Sequence, residues 1–344
     1  MLPRQLGTKK IRDDAMKHLA FSLFLTLLLS PASAQAAASL NLIIFPGGLS
    51  WPIFVAQDRG LFEKEGLAVK VTETPGSVFQ IKGLLAGDFD IAMTPFDNVV
   101  AYQENQGEVH FDAPDLFVFM GGISSTLRLI VRPEIRQFAD LRDQTLGVDA
   151  LTTGYTLLMY RLLERNGLPP GSYKLERLGG TASRVQALMQ GKIAATMVSS
   201  PQEILPEQDG FKRLGDIQAI LGNYQALSGV ARRSWAAANP ERLKGFIRAY
   251  VAANDWLADP ANKAEAADIY AKHILNTPRS VIDRAWGLMV WKTEGFQLHA
   301  KFDPVGAQTA LQIRTEYGVP QKTLTDWRKY VDESFYNQAL GTRR

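Results

Sequence analysis

Six short polar loops are the part of this sequence best suited to chemistry. In the first half they are Gly48-Leu49-Ser50-Trp51, Pro75-Gly76-Ser77 and Thr94-Pro95-Phe96-Asp97. In the second half they are Thr152-Thr153-Gly154-Tyr155, Gly180-Thr181-Ala182-Ser183 and Ser199-Ser200. Each stands at the start of a helical pattern. A helix N-terminus offers free N–H groups and partial positive charge, so such loops can hold an anion without a lysine or arginine. The chemistry is therefore binding, and the candidate contacts are Ser50, Trp51, Ser77, Thr94, Asp97, Thr153, Tyr155, Thr181 and Ser199. Taken alone, each serine or threonine is also an ordinary helix cap. Recurrence in both halves is what points to a cleft. Trp51, Phe79, Phe96 and Tyr155 can wall a small-molecule site or pack in the core. Asp97 reads two ways, as a favourable charge in a helix's first turn or as an acceptor for a ligand's ring nitrogen or amine.

The search for a reaction centre finds little. The four histidines, His18, His110, His273 and His299, lie far apart in ordinary contexts. There is no H-E-x-x-H, G-x-S-x-G, Walker loop or G-x-G-x-x-G. Glu63 and Glu65 flank Lys64 as a solvated helix end, and Asp88 and Asp90 straddle a turn. With no cysteine in the chain, disulfides, thiolate metal sites and a cysteine nucleophile are excluded. No cofactor or metal is expected.

The elements that position these loops read as α/β. Residues 41–73 give an apolar run, Leu42-Ile43-Ile44-Phe45, broken by Pro46-Gly47-Gly48. A helix with Pro52 in its first turn follows, then an alternating strand through Val69 and Val71. This is a parallel-sheet unit, whose loops at the strand C-termini are where ligands bind. Ser77 with Gln80 suggests a capping box ahead of a helix, a glycine turn at Gly87 and a strand over 89–93. The same order returns about a hundred residues later with Ser183, Gln186, Gly191 and a strand over 193–198. The echo indicates two similar lobes. Between them, 116–120 is a strand, 121–125 a flexible polar link and 127–131 a strand. Residues 225–231 form a last strand crossing back. After Ser234 come four or five helices, with Phe246, Tyr250 and Trp286 facing the core, packed on the first lobe as a brace.

The 344 residues, 46% of them hydrophobic, suit two lobes. The formal net charge is +3, and residues before Gln35 carry that excess: Arg4, Lys9, Lys10, Arg12 and Lys17 against Asp13 and Asp14. The remainder is about neutral, so no nucleic-acid footprint is expected. The leader reads as a secretory signal over 1–34. Lys17 precedes an apolar run over 19–29 and the small-residue site Ala32-Ser33-Ala34, and Met16 is a candidate true start. The product expected is a periplasmic protein without a lipid anchor.

The run Ser50-Trp51-Pro52-Ile53-Phe54-Val55-Ala56-Gln57-Asp58-Arg59-Gly60-Leu61-Phe62-Glu63-Lys64-Glu65-Gly66-Leu67 resembles the opening of the nitrate/sulfonate/taurine-type substrate-binding proteins of ABC importers. Further similar stretches are Leu85-Ala86-Gly87-Asp88-Phe89-Asp90-Ile91-Ala92, residues 138–148, Gly191-Lys192-Ile193-Ala194-Ala195 and Val331-Asp332-Glu333-Ser334-Phe335. The resemblance implies a two-lobed type II periplasmic binding protein fold. Each lobe would be a mixed, mostly parallel sheet flanked by helices, with a helical C-terminal extension. Residues 38–123 would form lobe 1, 124–227 lobe 2, and 228–344 the return to lobe 1 and the C-terminal helices. Hinge motion would centre on 121–125 and Ser228-Gly229.

The implied function is to close on a small anionic or heteroaromatic solute, such as a sulfonate, a nitrate-like oxyanion or a pyrimidine vitamin precursor. The protein would act as a monomer and deliver the solute to an ABC permease and ATPase complex at the inner membrane. Two alternatives use the same fold: an enzyme like the pyrimidine-precursor synthase, whose cysteine-rich motif is absent here, or a solute sensor for a membrane kinase. Basic or histidine side chains used by some oxyanion binders of the family have no equivalent in these loops.

Overall fold

The structure is a computed structural model that describes Met1 and residues 37–124, 127–216, 220, 222–290 and 295–341. Apart from Met1, the expected leader therefore lies outside the described residues. Among the described residues, no helix is long and apolar enough to cross a membrane.

Two sheets organise the chain. The first contains β1 (Ala38–Ile44), β2 (Leu67–Glu73), β3 (Ile91–Pro95), β4 (Leu116–Ser124), β10 (Gln225–Arg232) and β11 (Gly295–Phe296), in the order β11-β4-β10-β3-β1-β2. The second contains β5 (Leu127–Val131), β6 (Thr145–Val148), β7 (Lys174–Arg177), β8 (Ala195–Ser199) and β9 (Lys212–Asp216), in the order β7-β6-β8-β5-β9. In the first sheet β1 pairs parallel with β2 and β3, while β10 runs antiparallel between β3 and β4. The second repeats this: β6 pairs parallel with β7 and β8, and β5 runs antiparallel between β8 and β9. The sequence echo thus has a topological counterpart, β2-β1-β3-β10-β4 against β7-β6-β8-β5-β9. In each sheet the antiparallel member arrives from the other half of the chain. Strands β3, β4, β5 and β8 are buried along their whole length, as continuous apolar strands covered on both faces must be.

The 121–125 segment is not a flexible link as far as it is described. Gly121 to Ser124 continue β4, and Ile123 and Ser124 pair with both β10 and β11. The glycines serve close packing: a Cβ on Gly121 would lie 2.0 Å from the Lys301 carbonyl oxygen, and one on Gly122 3.1 Å from that of Leu227. Ser228-Gly229 sits in mid-strand opposite Thr94 and Met93, and a Cβ on Gly229 would strike the Phe119 ring at 2.6 Å. Ser125 lies outside the described residues.

The helices that matter here are α1 (Trp51–Asp58), α2 (Ser77–Ala86), α3 (Phe96–Gln103), α4 (Gly154–Arg165), α5 (Thr181–Met189), α6 (Ile204–Gln208), α7 (Pro240–Ala258), α8 (Lys263–His273) and α9 (Pro304–Tyr317). Two expected capping boxes do not form. Gly76 and Gly180 occupy the N-cap positions of α2 and α5, with no side-chain cap. Gln80 turns inward instead and donates to the carbonyls of Ile43 (3.3 Å) and Met93 (3.0 Å), tying α2 to the sheet. Gln80 is fully buried, where its amide donors need protein acceptors. The C-terminal helices pack on the first sheet: Phe246 of α7 is fully buried between Phe62 and Phe119. Tyr250 and Trp286 are also buried.

Candidate functional site

The C-terminal ends of the parallel strands in the two sheets face a common cavity of about 30 Å³. Open α/β sheets bind ligands at this edge. Phe45, Pro46 and Leu49 after β1, Pro95 and Asn98 around the start of α3, and Leu227 of β10 form one wall. Asp149 and the Thr153–Tyr155 loop after β6, Gly180, Thr181 and Arg184 after β7, and Ser199 and Gln202 at the end of β8 form the other.

The nine sequence candidates divide here. Thr153, Tyr155, Thr181 and Ser199 line the cavity; Ser50, Trp51, Ser77, Thr94 and Asp97 do not. Trp51 is fully buried on the far side of α1, donating its indole N–H to the Ala266 carbonyl (3.0 Å) and meeting Tyr270 edge to face. An indole that large gains most by filling the seam between α1 and α8. The Ser50 hydroxyl donates to the Phe45 carbonyl (2.8 Å), and Thr94 accepts from Asn98 Nδ2 (2.9 Å). Neither of the two readings of Asp97 describes its main contact. It forms a bidentate ion pair with Arg314 of α9, at 2.6 Å from both Nε and Nη2, and both side chains are buried. Of the candidate aromatic walls, Phe96 is core against Phe302 and Tyr330, and Phe79 is 52% exposed. Only Tyr155 lines the cavity.

The dominant group of the site is a side chain outside the expected loops. Arg184, one turn into α5, is buried in the cavity wall. Its Nε donates to the Gly179 carbonyl (2.9 Å). Nη1 donates to Thr196 Oγ1 (2.8 Å) and the Met197 carbonyl, and Nη2 to Thr181 Oγ1 (3.0 Å). A guanidinium has five N–H donors, so these contacts leave one on Nη2. Every acceptor is neutral, and no carboxylate among the described residues forms a salt bridge with it. Burial lowers its pKa, opposed by the nearby Asp149 and Tyr155. Beside it, Ser199 Oγ is buried without a hydrogen bond of good geometry. The Tyr155 hydroxyl is pushed up to about 12 by burial, with Ser199 acting in the opposite sense. A buried cation with neutral hydrogen-bond acceptors and a buried serine hydroxyl without a well-formed hydrogen bond, in one cavity, favour a polar guest.

The walls also touch each other. The Ser77 N–H, at the start of α2, donates to the Asp149 carboxylate (3.2 and 3.3 Å), and the Gly180 N–H donates to the Pro75 carbonyl (2.8 Å). The absence of a Cβ at Gly76 permits this approach, since one would lie 2.8 Å from Asp149 Oδ1. Arg314 adds a third bridge, to the Thr152 carbonyl (2.7 Å). The arrangement is closed, with a carboxylate of one half already seated on a helix N-terminus of the other.

Comparison with known proteins adds the family. The NMT1-like family model matches residues 34–271. The chain belongs to the NMT1-like family. No curated protein matches this NMT1-like sequence, but solved structures do. A protein of Bordetella bronchiseptica aligns at 22% identity and TM-score 0.76, covering 88% of this chain and 97% of that one. The periplasmic nitrate-binding protein NrtA from Synechocystis aligns at 15% and 0.73, covering 89% of each. The alkanesulfonate-binding protein SsuA from Xanthomonas axonopodis pv. citri, bound to MOPS, aligns at 16% and 0.64, covering 89% and 99%. The NMT1-like chain therefore has the two-lobed type II periplasmic binding protein fold, with the cavity at the junction of its lobes.

Proposed function

We propose that this NMT1-like protein is the periplasmic solute-binding component of an ABC importer and that its solute presents a small oxyanion to the interlobe cavity. The observation that carries this reading is Arg184: a buried guanidinium in the cavity wall, with neutral partners and one N–H left. An oxyanion there gains charge-assisted hydrogen bonds and satisfies Ser199. Similar folds that bind nitrate and an alkanesulfonate support the same class. In this reading the lobes (38–123 with 228–344, and 124–227) open by moving apart as two bodies. Opening separates Asp149 from Ser77, Gly180 from Pro75, and Arg314 from the Thr152 carbonyl. The closed form then docks as a monomer on the permease.

The test is a thermal-shift screen of the protein against nitrate, sulfonates, carboxylates, pyrimidines and amines. A ligand at ~100 times its dissociation constant adds ~2.7 kcal/mol, so an oxyanion should raise the midpoint clearly. A response confined to amines or neutral pyrimidines would refute the oxyanion reading.

A further inference from the structure

The lobes also meet at points away from the cavity. Glu108, in the loop after α3 of lobe 1, accepts from the Leu151 N–H after β6 (2.6 Å) and from Arg177 Nη2 of β7 (3.3 Å). Arg284, on the helix Arg279–Met289, donates from Nη2 to Glu207 Oε2 of α6 (2.6 Å). Glu207 also holds Arg213 of its own lobe (2.8 Å), so closure adds a second guanidinium to it. Glu108, Glu207 and Arg284 do not line the cavity. Both carboxylates are mostly buried, with side chains 18% and 15% exposed. That sets them apart from freely solvated surface pairs, whose worth is small.

A further contact involves no charge. Pro201, after β8, packs on Gly48, after β1, and a Cβ on Gly48 would stand 2.5 Å from Pro201 Cγ. Within lobe 1 the nearest atom to that Cβ would be the Tyr270 hydroxyl, at 3.2 Å. Gly48 is not among the residues with positive φ. A side chain at Gly48 is therefore opposed chiefly by the other lobe in its closed position, and not by its own backbone. The Ser77–Asp149 and Gly180–Pro75 bonds add to the same seam. Loops after β1, β2 and α3 of lobe 1 thus meet loops after β6, β7 and β8 of lobe 2 directly, protein to protein.

We infer that closure of this protein does not wait for its solute. The contacts between the lobes hold the closed arrangement themselves, so the closed form is the resting form and opening is the step that admits a guest. This rests on the reading that the lobes move apart as two bodies, and not on the chemistry of the solute. A ligand shifts a conformational equilibrium only by its differential affinity for the two states. Where the closed state already dominates, the solute has little closing left to drive, and its association slows with the fraction of protein closed. Gly48, Glu108 and Arg284 then set the rate of capture without touching the solute.

The experiment measures the lobes without any solute. The chain has no cysteine, so nitroxide labels can be placed on Lys82→Cys of α2 and Gln186→Cys of α5, both exposed. The full chain is unfolded in guanidinium, dialysed and refolded to strip co-purified solute, and the distance between labels is read by double electron–electron resonance. The parent should show mainly the short distance of the closed arrangement. Gly48→Val should shift the distribution to a longer one, and Glu108→Ala combined with Arg284→Ala should lower the closed-to-open ratio severalfold. If Gly48→Val does not refold, the second variant decides alone. A parent found mainly at the longer distance would overturn the inference and leave the solute-binding reading standing. A short distance unchanged in every refolded variant would also overturn it, and the two-body opening with it. No oxyanion enters the measurement, so failure of the oxyanion reading would be seen only in the thermal-shift screen.

Discussion

Arg314 and Arg184 are both buried beside the cleft, one on each lobe, and they are held in opposite ways. Arg314 meets a carboxylate on equal terms, two 2.6 Å contacts to Asp97, with Gln106 and the Thr152 carbonyl taking further donors. Arg184 meets two carbonyls and two hydroxyls and no carboxylate. A buried ion pair is complete within the protein, so removing one member strands the other. A buried cation whose hydrogen-bond acceptors are all neutral, offset at a distance by the nearby Asp149 carboxylate, gains from a further negative group. The first arrangement is architecture that fixes α9 to α3 and reaches across to lobe 2. The second is a site.

The contrast can be broken first at Arg314. Arg314→Met should cost about 3–5 kcal/mol, because Asp97 is left buried and unpaired; urea unfolding measures it. Asp97→Asn combined with Arg314→Met should recover a large part. At Arg184 the order reverses. Arg184→Met should cost stability by only about 1–3 kcal/mol, the scale of lost hydrogen bonds. Binding of an oxyanion should weaken by roughly 30-fold or more, since desolvated charge pairs are worth about 2–5 kcal/mol. If the two single variants were equally unstable in urea, the distinction between a paired and an available guanidinium would collapse.

Asp149 sharpens the comparison further. Its carboxylate already occupies the N-terminus of α2 through the Ser77 N–H, so it competes with an anionic guest for that end of the dipole. Asp149→Asn should tighten oxyanion binding by about twofold to fivefold, the ~0.3–1 kcal/mol of one helix terminus. Weaker binding in calorimetry would instead mean that Asp149 holds a positive part of the solute.

The smallest effect expected is a pH dependence away from the cleft. Glu104, next to the Asp97 helix, binds Lys322, Lys329 and Tyr330 of the C-terminal segment. Burial raises its pKa, but the hydrogen bonds from Lys329, Tyr330 and Lys322 outweigh it, so the net shift is below the ordinary 4.5. A carboxyl depressed in the folded state contributes stability that is complete above its unfolded value and is lost as pH falls through the folded one. Unfolding midpoints should therefore drop more steeply below pH 4.5 in the parent than in Glu104→Gln. Parallel curves would remove Glu104 from the account.

Much of the fold was legible because it is written in local patterns. The apolar run after Asn41, the glycine turns at Gly87 and Gly191 and the repeated order of elements all follow from period and turn chemistry, and the two sheets repeat one topology. What failed were inferences from a single residue's type. Gly121-Gly122 suggested flexibility, yet a glycine is equally required where backbones meet, and the contact with the Lys301 carbonyl is 180 residues away in sequence. Trp51 beside a ligand loop suggested a wall, but its partner is Ala266. Asp97 found Arg314, far along the chain.

The structure brings the lobe 2 candidates to the cavity and keeps the lobe 1 candidates off it. Thr153, Tyr155, Thr181 and Ser199 stand at or next to strand ends and helix starts on the cleft side of the second sheet, and all four line the cavity. Ser50 and Thr94 are taken by neighbours along the chain, the Phe45 carbonyl and Asn98, and Asp97 by Arg314 of a C-terminal helix. Arg184 escaped because only helix starts were searched. The spacing Thr181 to Arg184, one turn, could have pointed to it.

The central claim is that the Arg184 charge holds the solute. Its most direct test is calorimetric titration of the tightest oxyanion from the screen into the parent, Arg184→Lys and Arg184→Met. The account predicts a graded loss: partial with lysine, which keeps the charge but not the fork, and at least about 30-fold with methionine. Unchanged affinity in Arg184→Met, with the fold intact, would contradict it.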